Sequence, residues 1–79
     1  MNQLMKMAIE EARSGFNRDH GGPFGAIIVR DGELLAKAHN EVLKTNDPTA
    51  HAEILAIRKA CAHLKSYDLS DCEIYSTSE

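Results

Sequence analysis

Apolar residues recur at helical spacing at the start of the chain. Leu4, Ala8, Ile9, Ala12 and Phe16 fall on one side of a helix predicted over residues 2–16. Gly15 and the polar run Asn17-Arg18-Asp19-His20 end it, and Gly21-Gly22-Pro23 forbids its continuation. The period then changes. Phe24 to Val29 is a short apolar, β-branched run that reads as a buried strand, Asp31-Gly32 is a two-residue hairpin signal, and residues 33–39 return as a second strand. Residues 40–47 read as a polar loop. A second helix follows, with Ala50, Ile54, Ile57, Cys61 and Leu64 spaced by three and four in a stripe expected to pack on the sheet. Asp47 or Thr49 is expected to cap it, and Pro48 suits its first turn. Residues 71–77 give a third strand with Cys72, Ile74 and Ser76 on one face. The predicted order is α-β-β-α-β: an α/β fold with helices packed on a small mixed three-stranded sheet. The connection through the second helix is long enough to cross over the sheet.

Composition narrows the function classes. Seventy-nine residues allow one domain, spanning residues 1–79, with a small core. A net charge of -3 gives no electrostatic footprint for a duplex, so nucleic acid is not expected as a partner. No stretch is long and apolar enough to span a bilayer, which leaves no membrane role. Cys61 and Cys72 make no disulfide framework, and with no secretory signal the expected compartment is the cytoplasm.

The chemistry concentrates at His51-Ala52-Glu53. A histidine and a glutamate two positions apart in a helix's first turn can aim a neutral imidazole and a proton-shuttling carboxylate at one pocket. This H-x-E pattern is the first half of the zinc deaminase signature, of which P-C-x-x-C is the second. Neither cysteine of the chain can stand in for that pair. Cys61 is about 15 Å along the same helix from His51, and Cys72 opens the third strand, on the order of 23 Å of extended chain from Glu79. Taken singly, other positions have plain readings: Asn40 as a turn residue, Phe24 as core, and Cys61 as a small buried apolar side chain. His20, His39 and His63 show no ligand spacing and read as surface residues.

Taken together, the motifs are specific. Gly21-Gly22-Pro23-Phe24-Gly25-Ala26, then Asn40, then Asn46-Asp47-Pro48-Thr49-Ala50-His51-Ala52-Glu53, with Ile57-Arg58-Lys59-Ala60-Cys61 and the closing Tyr75-Ser76-Thr77-Ser78-Glu79, resemble the cytidine deaminase-like zinc hydrolases. The guanine deaminase branch is the most similar. The resemblance covers the whole chain and implies the N-terminal half of such an enzyme, with Pro-Cys-x-x-Cys following Glu79. It implies zinc as cofactor, with His51 as its one histidine ligand. It implies Glu53 as the catalytic residue that carries a proton from the attacking water to the base. The implied substrate contacts are Asn40 by hydrogen bonding, Phe24 by stacking, and the backbone N–H of Ala52. The implied reaction is hydrolytic removal of an exocyclic amine from a small nucleobase, guanine to xanthine plus ammonia. Two alternatives inside the family are a tRNA adenosine deaminase, which shares the stretch from Asp47 to Glu53, and a cytosine or cytidine deaminase. A third alternative is a non-catalytic remnant or self-associating module. Because the family's fourth strand would flank the third, the edge near residues 71–77 is expected to pair, making the chain a homo-oligomer.

Overall fold

The first turn of the chain is fixed by Asn2, whose Oδ1 accepts the backbone N–H of Leu4 at 2.7 Å. This N-cap opens helix α1 (Gln3–Asn17). The computed structural model describes residues 2–77; residues 78–79 of the closing motif lie outside it. After α1 come strand β1 (Gly25–Arg30), strand β2 (Glu33–His39), the one-turn helix α2 (Val42–Thr45), helix α3 (Ala52–Leu64) and strand β3 (Glu73–Ser76). The predicted order α-β-β-α-β holds, with α2 inserted where a polar loop was expected.

The sheet has the order β2-β1-β3. Asp31 and Gly32 both adopt positive φ, 51° and 79°, as the twist of a two-residue hairpin requires. The β1–β2 register slips between Ile28 and Val29, so that Ile28 opposes Ala36 and Val29 opposes Leu34. Leu35 is the extra residue of a bulge. β3 also pairs antiparallel with β1, Ile27 opposite Tyr75. Both pairings are therefore antiparallel, and the expectation of a mixed sheet is corrected. The crossover through α3 delivers β3 to the side of β1 opposite β2.

β1 is consequently buried on both faces. Ala26 and Ile28 join Ala36, Ala38, Ala52, Ala56 and Ala60 in one cluster under α3. Ile27 and Val29 join Ala8 in another under α1. Each fully buried Ile or Val contributes about 1.5–3 kcal/mol, so the three large side chains of β1 form the centre of the core. Their bulk dictates what the helices present. α3 packs on the sheet through Ala52, Ala56 and Ala60, not through the larger stripe that the sequence suggested. Of that stripe, Ala50 is buried but Ile57 is 41 % exposed, and Ile54, Cys61 and Leu64 are half-buried. α1 likewise buries Ala8, Ala12 and Gly15 and leaves Phe16 exposed. Small residues win the inner face because they let the helix axis approach strands already filled by isoleucine and valine.

Candidate active site

Three segments meet at one end of the sheet, where β1 begins and β2 stops. Gly25, the first residue of β1, opposes His39, the last of β2. The Gly21–Phe24 loop enters there, and Asn40 leaves beside it with its backbone N–H donated to the Phe24 carbonyl at 3.0 Å. Glu41 then donates its backbone N–H to the carbonyl of Ala50 at 2.9 Å, which ties the end of β2 to the residue before His51. The geometry thus brings Phe24, Asn40 and the start of α3 to the same edge.

Asn40 is buried, and its Oδ1 accepts the backbone N–H of Val42 at 3.0 Å. That bond fixes which end of the amide is oxygen, because an N–H needs an acceptor. Among the described residues nothing occupies its Nδ2. Gly21 leaves the room: a Cβ there would lie 2.0 Å from Asn40 Oδ1. Phe24 is half-buried and packs against the α3-side cluster.

At the start of α3 the expected capping fails. Asp47 turns back on its own segment, its Oδ1 accepting both the N–H of Thr49 (2.9 Å) and its hydroxyl (2.7 Å). Those bonds hold the Asp47 carboxyl below its ordinary range, the hydroxyl bond contributing most. The N-cap position falls to His51, which makes no side-chain capping bond. The first N–H groups of α3, that of the buried Ala52 among them, are left to whatever lies beyond the helix end. His51 and Glu53 stand at that end half-exposed, with Nδ1 and Oε1 3.6 Å apart.

A second constellation, missed by the sequence reading, lies on the α1 side. His39 is 6 % exposed and is no surface residue. Its Nδ1 is 2.6 Å from Glu11 Oε2 and its Nε2 is 2.8 Å from His20 Nδ1. Glu41 Oε2 lies 3.6 Å from the same Nε2. The two imidazoles stack with centroids 5.0 Å apart. Burial, more than the neighbouring Lys44, Arg18 and His39, pushes the His20 pKa down. Strand alternation held the signal: Ala36 and Ala38 face α3, so His39 must face α1, opposite Glu11 and Gly15. His63 is exposed as predicted.

Residues 1–79 match the family described as cytidine and deoxycytidylate deaminase zinc-binding region. The chain belongs to that family. It is 52 % identical to the guanine deaminase of Bacillus subtilis over 76 residues, 96 % of this chain and 49 % of that protein. It is 49 % identical to the tRNA-specific adenosine deaminase of Aquifex aeolicus over 76 residues, 96 % of this chain and 50 % of the relative. The chain thus spans about half the length of the curated relatives it matches. The X-ray structure of the Bacillus subtilis guanine deaminase superposes with a TM-score of 0.93 at 51 % identity, covering 100 % of this chain and 52 % of that one. A protein designated NE0047, solved with 2,6-diaminopurine, superposes with a TM-score of 0.85 at 34 % identity over 96 % of this chain and 43 % of its own. The fold is therefore the cytidine deaminase-like one.

For the family's zinc, the residues at the α3 end offer one fitting donor, the uncapped and accessible imidazole of His51. His51 falls in no group of three potential metal ligands among the described residues; the group found there is His20, His39 and Glu41. A catalytic zinc takes three protein ligands and keeps one open position.

Proposed function

We propose that residues 1–79 form one domain of a zinc-dependent nucleobase deaminase that hydrolyses guanine to xanthine and ammonia. The observation that carries the reading is the paired His51 and Glu53 at an uncapped helix start, on the same sheet end as a buried, half-satisfied Asn40. When bound, zinc lowers the pKa of water from about 15.7 to about 7, so that hydroxide is available near neutral pH. Everything else is the work of the chain. Glu53 accepts the attacking water's first proton on a carboxylate oxygen and passes it to a ring nitrogen; it then takes the second proton from the hydroxyl now bonded to the ring carbon and passes it to the amine, which leaves as ammonia while the carbonyl forms. Asn40 holds the base by donating from Nδ2, the end of its amide not already committed to Val42. The Ala52 N–H donates to the base's carbonyl oxygen, and Phe24 covers the ring.

Guanine is preferred to tRNA adenosine because the net charge of -3 supplies no surface for an RNA backbone, and because the Gly21–Phe24 loop follows the guanine deaminase pattern. The reaction is assigned to the cytoplasm, in keeping with the free thiols of Cys61 and Cys72; no described helix is long and apolar enough to cross a membrane. Homo-oligomerisation through β3 is part of the same reading, supported by Ile57 and Ile74, exposed beside that strand. A monodisperse monomer in light scattering at micromolar concentration would overturn it.

The activity test measures zinc content and ammonia release from guanine, cytosine and a tRNA anticodon stem. It uses the 79-residue chain and a chain extended through a Pro-Cys-x-x-Cys segment. Xanthine formation by the extended chain is the expected result. An extended chain that holds zinc and deaminates none of the three refutes the enzyme reading.

A further inference from the structure

The His20–His39–Glu41 cluster has no part in the deamination just described, yet it has the make-up of a metal site. Glu11 accepts a hydrogen bond from His39 Nδ1 at 2.6 Å. An ionised carboxylate can only accept, so Nδ1 carries a proton, and in the neutral ring Nε2 is the atom with the lone pair. Facing this lone pair are Glu41 Oε2 at 3.6 Å and His20 Nδ1 at 2.8 Å. The three atoms all lie within 4.8 Å of one another. Three groups able to donate lone pairs converging in this way suit a cation between them. A single His20 ring proton now bridges to His39, and it leaves Glu41 unserved except by Lys44 Nζ at 3.7 Å, on a half-exposed side chain.

We propose that His20 Nδ1, His39 Nε2 and Glu41 Oε2 form a second divalent-metal site, suited to zinc and separate from the one His51 serves. Zinc takes nitrogen and carboxylate ligands at about 2.0–2.2 Å, which sets tetrahedral partners about 3.3–3.4 Å apart. The two separations from His39 Nε2, 2.8 and 3.6 Å, bracket that value, and the third lies within 4.8 Å. Loading needs only a small opening of the His20 ring and a shift of its proton from Nδ1 to Nε2, with no change of oxidation state and no net proton lost. Glu11 completes the arrangement by orienting the His39 ring through its Nδ1, as in a carboxylate–histidine–metal relay.

The fold builds the site from parts that are already rigid. Gly15 on α1 leaves room for the His39 ring, to which a Cβ at that position would come within 2.3 Å. The His20 carbonyl accepts the N–H groups of Leu43 and Lys44 at 2.9 and 3.0 Å, which fixes His20 to the α2 segment next to Glu41. The open fourth position and the absence of sulfur ligands define what the site takes: a borderline divalent ion with one exchangeable water or anion.

The test titrates the 79-residue chain with Zn²⁺ by calorimetry and with Co²⁺ by absorption spectroscopy. One ion per chain is expected. Visible Co²⁺ bands should appear without the near-ultraviolet charge-transfer absorption that a cysteine ligand gives. His20→Ala and Glu41→Gln should each weaken binding at least tenfold, and His51→Ala should leave it unchanged. Far-UV circular dichroism checks that each variant is folded. If His20→Ala unfolds, the near-isosteric Glu41→Gln decides alone. Failure of the folded chain to take up either ion overturns the proposal, as does binding that survives both cluster variants or is lost in His51→Ala.

Discussion

Gly15 of α1 lies directly under the imidazole of His39, so close that a methyl group on Gly15 would sit 2.3 Å from Cδ2 and 2.8 Å from Cβ. Two effects of Gly15→Ala oppose one another. In a helix interior alanine is favoured over glycine by roughly 0.5–1 kcal/mol. Overpacking against a buried ring and the rigid strand behind it costs about 1–3 kcal/mol. The clash wins, and urea unfolding should show a net loss of stability. A variant as stable as the parent would mean that the ring moves freely.

The inner stripe of α3 makes a parallel prediction. Ala56 is fully buried against β1 and β2, whereas Ile57, its neighbour in sequence, is 41 % exposed. Ala56→Leu should destabilise by about 1–3 kcal/mol through overpacking. Ile57→Ala, at a surface position, should stay within about 0.5 kcal/mol of the parent in the monomer. Chemical denaturation of the two variants side by side distinguishes this arrangement from the large-residue stripe that the sequence pattern suggests.

That contrast also shows how far the sequence could be read. The hairpin at Asp31-Gly32, the helix ends near Asn2 and Leu64, and the element order were legible because local chemistry decides them. The inner face of α3 was not, and that of α1 was legible in part, with Ala8 and Ala12 buried but Phe16 exposed. Hydrophobicity ranks Ile57 above Ala56, but the isoleucines and valine of β1 fill the space and leave only alanine's volume on the facing helix. The same limit hid His39. Nothing in its spacing from His20 suggests a meeting, since the Gly21–Phe24 loop and the whole β1–β2 hairpin had to fold before the two rings could stack.

Glu53 can be tested apart from metal binding in a chain extended as described above. Glu53→Gln keeps the side chain's size and removes the proton acceptor. Turnover should drop by about 10²–10⁴-fold, the usual worth of a positioned acid–base group, with zinc content unchanged by elemental analysis. Near-normal turnover would remove Glu53 from the reaction.

Asn40 and Gly21 should fail together. With Oδ1 held by Val42 N–H, Asn40→Ala loses the donor to the base, and the Michaelis constant should rise roughly tenfold for one hydrogen bond of about 1.4 kcal/mol. Gly21→Ala places a carbon 2.0 Å from Oδ1, so it should turn the amide away and give a similar rise. Unchanged constants in steady-state kinetics for Asn40→Ala would contradict its role.

Acid should erase one local contribution. The bonds from Thr49 lower the Asp47 pKa below its ordinary 3.8. A carboxyl whose folded pKa is depressed stabilises the fold fully above its unfolded pKa and loses that contribution as pH falls through the folded one. Asp47→Ala should therefore be less stable than the parent at neutral pH, and the two should converge below pH 3.8. Denaturation curves that stay equally far apart throughout would exclude the linkage.

The single hydrogen bond from Glu41 N–H to the Ala50 carbonyl closes residues 42–49 into a loop whose two ends are clamped together. Asn40 lies just before the clamp and His51 just after it. A change inside that segment therefore reaches the sheet edge in two places: at Asn40, whose Oδ1 is held by Val42 N–H, and at the His20 loop, whose carbonyl is held by Leu43 and Lys44 N–H, while the clamp keeps the backbone spacing of Asn40 and His51.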